Sequence, residues 1–484
     1  GLPGYFYRDL FKKVKHSQII HTYPIKEWSI RKTRISVLLL IIYINLKRFV
    51  SRIIFILKPK PIYGDITKPA LLLFQEDDLS MDRSYRSQPH WLFNNDKPIE
   101  FRSLVLESNL HDIYDRKELE KNQFYSFQRE IMYVYTGRHN VNKRINSSIR
   151  ALFIPSVFGS ESFIDIAFHL AMLFHRASLL ASFCEAQNVK ASMVCENYYH
   201  DADAINLIGP SMGIHTLSFQ YSNMSEINPP LLTSASTMCT FSPLFHEKYS
   251  NKGIRPEAFD DIGYLFDSSF HLVEHRSIAF YKQLKDQGVD FIICFFDETI
   301  TENKYGIIGA EDHLNEIEAL ARFVNKDKKI AIVIKTQFRR NTPSLIYKGN
   351  KIIDSARDTG RFIELFKGKH RNIVFPAEAA MASDIVIGHS IGATAALEAV
   401  LSGSRCIMLD PYNMHGSNIE IFKQADILYD NMDSALNAIS SYRQGRNENQ
   451  SLGDWNPVID LFDPFQDQRS ASRLREIIEK KILV

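Results

Sequence analysis

The sequence alternates short apolar runs with segments of helical periodicity, and it does so in two consecutive series. Apolar runs of about four to eight residues between helices are typical of parallel strands buried on both faces of a sheet. The first series begins with "PALLLFQ" at Pro69 and the second with "VDFIICFFD" at Val289, and they join near residues 265–288. This pattern predicts an α/β chain of two Rossmann-like domains facing each other across a cleft.

Each series predicts its own order of strands and helices. In the first, the predicted strands are "PALLLFQ", "FRSLVLES", "RALFIPS", "KASMVCEN", "IHTLSFQ" and "TMCTFS", with helices over 163–187 and "DADAINLIGPSMG". In the second, strands are predicted for "VDFIICFFD", "KKIAIVIKT", "NIVFP", "SDIVIGH", "SRCIMLD" and "ADILYD". Its predicted helices are "EDHLNEIEALARFVN", a segment near "RFIELFKG" and "ATAALEAVLSG", and "RSASRLREIIEKKILV" is predicted to close the chain as a helix.

These elements divide the chain into four predicted parts. Residues 1–60 form a helical, basic N-terminal segment, 61–270 an acceptor-binding domain and 271–450 a nucleotide-sugar-binding domain. Residues 451–484 form a C-terminal helix that crosses back to the first domain. A chain of 484 residues is long enough for two domains of ordinary size.

The N-terminal segment carries the run "ISVLLLIIYINLKRFVSRIIFILKPK". Its unbroken apolar core is far shorter than the ~20 residues that span a bilayer. Beyond that core, apolar residues recur at helical spacing, and Lys47, Arg48 and Arg52 fall on the other side. Such a basic amphipathic helix either lies in a membrane interface or packs on the protein's own core. No secretory signal is visible.

Charge and cysteine usage exclude some classes of protein. The formal net charge of +2 gives no basis for predicting a nucleic-acid partner. The five cysteines are scattered without a C-x-x-C pair, which favours a reducing compartment over a disulfide framework or a structural zinc site. We therefore expect a cytoplasmic protein, with peripheral contact to the inner membrane through the N-terminal helix.

The stretch "SDIVIGHSIGATAALEAVLSGSRCIMLD", Ser383 to Asp410, carries the strongest site signal. It reads as strand, glycine-containing turn, small-residue helix and strand. In an open parallel sheet, ligands bind beyond the carboxyl ends of the strands, where this turn is expected. Backbone amides at a helix start suit phosphate oxygens. The predicted donor-binding residues of this turn are His389, Ser390, Ile391, Gly392, Ala393 and Thr394.

Glu398 lies one helical turn beyond Thr394, in a helix that is apolar almost all round. A carboxylate there could accept hydrogen bonds from the hydroxyls of a ribose. The alternative is a solvent-exposed glutamate in a helix capped by Ser390. An unpartnered charge in apolar surroundings is costly, which favours the nucleotide interpretation.

The stretch resembles the donor-binding segment of GT-B glycosyltransferases of bacterial surface and capsular polysaccharide biosynthesis. "IAIVIKTQ" is similar to their strand ending in Ile-Lys-Pro-His, "GIHTLSFQYSNMS" to their acceptor-domain strand ending in Gln-His-Gly, and "DPFQDQRSASRLREII" to their Asp-Pro-Phe-x-Asp-Gly ending. The resemblance covers about residues 150–484. The chain departs from it at Thr336-Gln337 and at Tyr221-Ser222.

This resemblance implies a nucleotide-sugar donor held by Ser390, Gly392, Thr394 and Glu398, with Lys335 close to a phosphate or carboxylate. Lys335 could equally be a strand-end lysine that reaches water. The donor could be a CMP-activated acidic sugar of the Kdo or nonulosonate type, since Asp297, "KTQ" and "HS" loosely match such enzymes, or it could be a UDP- or GDP-sugar. The acceptor implied is a surface polysaccharide, capsule or lipopolysaccharide included, or a lipid-linked glycan.

An inverting transfer needs a general base in the first domain. The candidates follow two predicted strands: Asp77 and Asp78 in "FQEDDLSMDRSYRSQPHW", and Glu196 and His200 in "CENYYHDAD". The predicted acceptor-binding residues are Arg83, Arg86, His90 and Gln220. The competing interpretation is a polar loop whose acids cap the next helix. The acids and histidine lack the spacing of a zinc helix, so neither a metal nor a cofactor is predicted.

The leading prediction is therefore a metal-independent GT-B glycosyltransferase. Two alternatives remain open: a nucleotide-sugar 2-epimerase and a non-catalytic subunit of a glycan-assembly complex. "GHSIG" also resembles the nucleophile elbow of a serine hydrolase. Asp410 and His415 follow Ser390 in the required order, but they are too close in sequence to lie on different strands' loops.

Overall fold

A computed structural model describes residues 61–75, 99–107, 120–128, 161–195, 200–223, 234–251, 256–298, 308–368, 372–391, 393–445 and 451–483, with a few isolated positions besides. The predicted strand at 150–156 and most of the N-terminal segment lie outside these residues. Within the described part of the chain, no helix is long and apolar enough to cross a membrane.

The first lobe is built on a sheet of seven described strands, all parallel, in the order β3-β2-β1-β4-β5-β6-β7. These are β1 (Ala70–Gln75), β2 (Arg102–Glu107), β3 (Phe124–Gln128), β4 (Val189–Cys195), β5 (His215–Phe219), β6 (Thr237–Thr240) and β7 (Ala258–Asp261). Its helices are α1 (Glu161–Ala186), α2 (His200–Met212) and α3 (Leu244–Asn251). Strand order reverses between β1 and β4, which are neighbours.

A short 3-10 turn (Asp267–Ser269) and α4 (Phe270–Asp286) connect the first sheet to the second. The second lobe has six described parallel strands in the order β10-β9-β8-β11-β12-β13. They are β8 (Phe291–Phe296), β9 (Ile330–Lys335), β10 (Phe362–Glu364), β11 (Ile385–His389), β12 (Cys406–Leu409) and β13 (Leu428–Tyr429). Strand order reverses between β8 and β11.

The helices of the second lobe complete the pattern of crossovers. They are α5 (Ala310–Lys326), α6 (Pro343–Ile346), α7 (Lys351–Asp358), α8 (Pro376–Ala380), α9 (Thr394–Leu401), α10 (Ser417–Gln424) and α11 (Met432–Arg443). The tail adds α12 (Ile459–Phe462) and α13 (Ser470–Ile482). The central strands are buried on both faces, as the unbroken apolar runs predict.

One hydrophobic core runs between the two lobes. It joins Phe219 of the first sheet, Leu397 of the second lobe, and Trp455 and Leu474 of the tail, all of which are buried. Helix α13 packs against β4 of the first sheet, and Arg473 donates a hydrogen bond to the carbonyl of Ile262 across 2.9 Å. The tail therefore contacts both lobes.

Two element predictions in the second lobe are wrong. The segment near "RFIELFKG" is the edge strand β10 rather than a helix, because the helix ends earlier, at Asp358, and Gly360 follows with φ +70 before the chain pairs with β9. "NIVFP" is a loop rather than a strand. Asn372 holds it by donating to the carbonyls of Thr336 (2.9 Å) and Leu365 (2.7 Å), and α8 begins at Pro376.

Candidate functional site

The predicted donor turn lies at the strand-order reversal of the second sheet. Strand β11 ends at His389 and pairs with β8, whose carboxyl end leads into Asp297. Helix α9 begins at Thr394, and four residues separate it from the end of the strand. The crevice outside such a reversal point is where open α/β sheets bind ligands. Gly392 lies outside the described residues.

Ser390 is held by its neighbours in the second lobe. Its amide donates to the carbonyl of Leu409 (2.8 Å), and its hydroxyl donates to Oδ1 of Asp410 (3.0 Å). The Asp410 carboxylate also accepts the amide of Met414. A hydrolytic serine would instead face a histidine. The direct Ser390–Asp410 bond therefore argues against the hydrolase interpretation.

Gly388 allows two elements to pack closely. A Cβ added there would lie 3.3 Å from Cβ of Ala396 in α9. The absent side chain therefore allows strand and helix to pack closely.

The start of α9 also contacts the first lobe. The hydroxyl oxygen of Thr394 accepts a hydrogen bond from the backbone amide of Asn223, which follows β5, across 2.8 Å. Ala393 is buried, and its carbonyl lies 3.5 Å from the side-chain nitrogen of Asn223. The predicted donor turn thus lies at the interface between the lobes.

Glu398 is 0% exposed and has partners on both carboxylate oxygens. The hydroxyl of Tyr264 donates to Oε2 across 2.6 Å, and the amide of Ala377 donates to Oε1 across 2.9 Å. Tyr264 belongs to the segment that leads out of the first lobe. These contacts supply a structural reason for a glutamate in an apolar helix, and in this conformation they hold its carboxylate away from solvent.

Beneath the turn lies a buried cluster of titratable side chains at the ends of β8 and β11. His313 in α5 contacts Oδ1 of Asp297 across 2.6 Å through Nε2, and its Nδ1 contacts the hydroxyl of Tyr347. His389 lies 3.3 Å from a carboxylate oxygen of Glu316. Asp297 and His313 therefore form one acid–histidine pair, and His389 and Glu316 form a second pair beside it.

Burial and charge shift the protonation of this cluster. Burial raises the pKa of Asp297, although the nearby His313 acts in the opposite direction. Burial lowers the pKa of His389, but the Glu316 carboxylate outweighs it, so the pKa of His389 lies above the ordinary value of 6.5. Both shifts favour the protonated forms.

Several atoms of this edge are buried without a directed hydrogen-bond partner. Among the described residues, these include both ring nitrogens of His389, Oδ2 of Asp297 and Oγ1 of Thr336. The 3.3 Å His389–Glu316 contact is within ion-pair range but is not aligned as a hydrogen bond. Each such atom costs about 1–3 kcal/mol. Hydrogen bonds from a ligand or water would offset that cost.

Lys335 ends β9, on the far side of β8 from the donor turn. It is half-buried, and its ammonium lies 3.4 Å from the carbonyl oxygen of Thr336. Ile391 is also half-buried. The structure therefore puts Lys335 at the same sheet edge as Ser390, but two strands away.

The predicted base-bearing stretches of the first lobe leave from adjoining strands. Strand β1 ends at Gln75 and β4 at Cys195, and the two strands pair directly at the reversal point of the first sheet. Asp77, Asp78, Arg83, Arg86, His90 and Glu196 lie outside the described residues. His200 begins α2, with a side chain that also lies outside them.

Gln220 has a local structural role in this conformation. It is 0% exposed, its side-chain nitrogen donates to the carbonyl of Ser222 (3.0 Å), and its oxygen accepts the amide of Phe241 (3.0 Å). The geometry gives its predicted acceptor contact no support.

Sequence reasoning did not identify four residues of this region: Asn223, Tyr264, His313 and Glu316. Each reaches it through tertiary contacts between segments far apart in the chain, so no local spacing signals them. Within the described part of the chain, no group of three or more histidine, cysteine, aspartate or glutamate side chains is placed to hold a metal ion.

No protein-family model matches the chain, and no curated protein matches it. Among solved structures, it is similar to UDP-GlcNAc 2-epimerase from Neisseria meningitidis bound to UDP-GlcNAc, with 11% identity and a TM-score of 0.50 over 86% of this chain and 99% of that one. S. aureus MnaA in complex with UDP gives 12% identity and a TM-score of 0.49, over 85% of this chain and 96% of that one. The wall teichoic acid polymerase TagF gives 8% identity and a TM-score of 0.48, over 94% and 98%.

At this level of identity the likeness shows the fold alone, and the two scores below 0.5 are too low to argue from. Together with the two parallel sheets, the first match confirms the predicted class of fold: two Rossmann-like lobes of the GT-B type. The basic N-terminal segment of that prediction lies mostly outside the described residues.

Proposed function

We propose that the protein is a glycosyltransferase that moves a sugar from a nucleotide-sugar donor to a surface polysaccharide or lipid-linked glycan. One observation carries this proposal. The strand–turn–helix at the reversal point of the second sheet lies against the first lobe, through the Thr394–Asn223 contact. A reaction between a donor in one lobe and an acceptor in the other needs such an interface, from which water can be excluded.

In this proposal the donor phosphates bind at the start of α9. Backbone amides of the turn and the hydroxyls of Ser390 and Thr394 would contact phosphate oxygens, aided by the helix dipole. His389 would add positive charge from below, since its raised pKa favours the imidazolium form. Glu398 could reach a ribose only if its bonds to Tyr264 and Ala377 were exchanged.

The acceptor and its general base are proposed for the first lobe. Asp77, Asp78 and Glu196 follow in sequence the paired strands β1 and β4, whose carboxyl ends lie at one sheet edge. His200 starts the next helix there. Arg83, Arg86 and His90 remain proposed acceptor contacts, and Lys335 a proposed donor contact.

We also propose that the N-terminal segment holds the protein at the inner membrane, near a lipid-linked acceptor. Leu39, Ile42, Tyr43, Leu46 and Val50 are helical and recur at the spacing of one helix face, and each is at least 44% exposed. Residues 28–64 contain eight lysines and arginines and no acidic residue. An apolar stripe within a basic segment suits an anionic lipid surface.

A transfer assay tests the function. The protein is incubated with CMP-, UDP- and GDP-linked sugars, each with and without a lipid-linked glycan acceptor, and the products are separated by mass. We expect one donor to be consumed only when acceptor is present, with a mass gain of one sugar on the acceptor. An altered sugar without acceptor would indicate the 2-epimerase instead. If the protein neither bound nor consumed any of the donors, the remaining alternative would be a non-catalytic subunit of a glycan-assembly complex.

A further inference from the structure

Four residues form a hydrogen-bonded chain that passes back and forth between the lobes, and its last link is made by a backbone amide. Lys248 of α3, in the first lobe, donates to the side-chain oxygen of Asn418 in α10, in the second. Asn418 donates to the side-chain oxygen of Asn223, in the first lobe, across 3.0 Å. The amide of Asn223 donates to Thr394, in the second lobe. We call these four residues the interlobe chain.

The middle of the interlobe chain is buried. Asn223 is 1% exposed and Asn418 is 0% exposed. A buried amide that loses its partner is left with unsatisfied polar atoms, so a network of this kind fits only one alignment of the two lobes. Separating the lobes would break all three contacts together.

The interlobe chain ends on Thr394, the residue that begins the proposed phosphate-binding helix α9. The hydroxyl oxygen of Thr394 accepts the backbone amide of Asn223, and the same hydroxyl can donate its hydrogen to a donor phosphate. A contact from the opposite lobe therefore fixes the hydroxyl that would meet the donor.

We propose that Asn223 is a positioning residue that couples closure of the two lobes to the shape of the donor turn. The coupling to donor rests on the proposed function, whereas the closure contact itself does not. By linkage, a nucleotide that binds the turn in its Asn223-bound position favours the closed arrangement, and closure raises nucleotide affinity by the same factor.

The closure contact is tested by the distance between the lobes. Spin labels are attached to the full chain at Leu207→Cys in the first lobe and Leu345→Cys in the second, both of which are exposed, whereas the five native cysteines are buried. We expect Asn223→Ala and Asn418→Ala each to lengthen or broaden the distance distribution, because each removes the side-chain bond between these two residues that holds the Asn223 backbone amide against Thr394. The double variant should match a single one, since both changes break the same bond. Asn437→Ala, an exposed asparagine of α11, is the matched control and should change nothing. Unchanged distances, or additive effects, would overturn the proposal.

The coupling to donor is tested by adding CMP, UDP or GDP to the same labelled proteins. A nucleotide should narrow the distribution in the wild type and in Asn437→Ala, and its affinity should fall about tenfold in Asn223→Ala, as expected for a coupled pair. The coupling would be refuted if a nucleotide narrowed the distance distribution of Asn223→Ala as much as that of the wild type and bound both proteins with equal affinity. Should the asparagine variants not fold, Thr394→Ser and Thr394→Val serve in their place, since only serine keeps the accepting oxygen. If no nucleotide changes the distances in the wild type, the proposed function and the coupling to donor are both rejected. The closure contact is kept in that case if the effects of Asn223→Ala and Asn418→Ala on the distances are still non-additive.

Discussion

Glu398 illustrates how a single residue can be noticed from sequence and explained only by structure. Its place in an apolar helix predicts a partner, and the structure supplies the Tyr264 hydroxyl and the amide of Ala377. Neither lies near Glu398 in sequence, so spacing within the helix could not reveal them. Gln220 shows the same limit, because its partners are set by how β5 and β6 end.

Replacing Glu398 should therefore cost stability whether or not a nucleotide binds. Glu398→Ala leaves the Tyr264 hydroxyl and the Ala377 amide buried without an acceptor, and we expect the free energy of unfolding to fall by about 2–4 kcal/mol. Urea unfolding measures this. Glu420→Ala, at a glutamate whose side chain is 63% exposed, is the control and should change little. Equal stability of the two variants would show that the Glu398 contacts contribute nothing.

At the scale of elements, the long apolar strands were predictable and the short ones were not. The sequence of strand β8 predicts a strand unambiguously, because all six of its residues are buried and the run is apolar throughout. Strand β10 has three residues, too few to show a period, so its sequence also fits a helix. The loop at "NIVFP" has strand-like composition, but Asn372 supplies the hydrogen bonds that a neighbouring strand would otherwise provide.

The junction of α13 with the connection between the lobes should be sensitive to pH. Ser470, the first residue of α13, donates a hydrogen bond to Asp267 of the 3-10 turn. Burial raises the pKa of Asp267 from 3.8 to about 7; Ser470 opposes this rise, whereas Asp463 and Asp467 add to it. The folded protein therefore holds this proton more tightly than the unfolded chain does. This contribution to stability is largest below pH 3.8 and is lost as the pH rises through about 7.

Asp267→Asn removes that dependence. Relative to the wild type, the variant should gain stability as the pH rises from about 5 to about 8, by a few kcal/mol at most. Any cost in stability that the asparagine amide itself brings is the same at both pH values. The quantity to measure, by urea unfolding, is therefore how the difference in stability between variant and wild type changes from one pH to the other. A difference between variant and wild type that does not move with pH would contradict the assignment of a buried, protonated Asp267.

For the whole molecule, two Rossmann-like lobes follow from the repeated alternation of apolar runs and helices. Strand order does not follow from it, because the sequence does not say on which side of β1 or β8 the chain resumes. The pairing of β1 with β4 and of β8 with β11 was therefore visible only in the structure. The first pairing brings the carboxyl ends of β1 and β4 to one edge, and the second brings the donor turn beside Asp297.

The proposed membrane contact also belongs to this scale. We expect the full chain to sediment with vesicles that contain anionic lipid and to remain in solution with neutral vesicles or at high salt. Leu39→Glu with Leu46→Glu should abolish sedimentation. Ile62→Glu, at a residue that is 64% exposed but outside the helical stripe, is the control. Sedimentation that survives the double change would mean that another surface makes the contact.

Hydrogen–deuterium exchange with and without CMP, UDP and GDP tests the central claim most directly, because it reports where a nucleotide binds. The account predicts that one of the three slows amide exchange in peptides covering residues 388–398, at the start of α9. Slowed exchange confined to segments away from the lobe interface, or no slowing by any of the three, would contradict it.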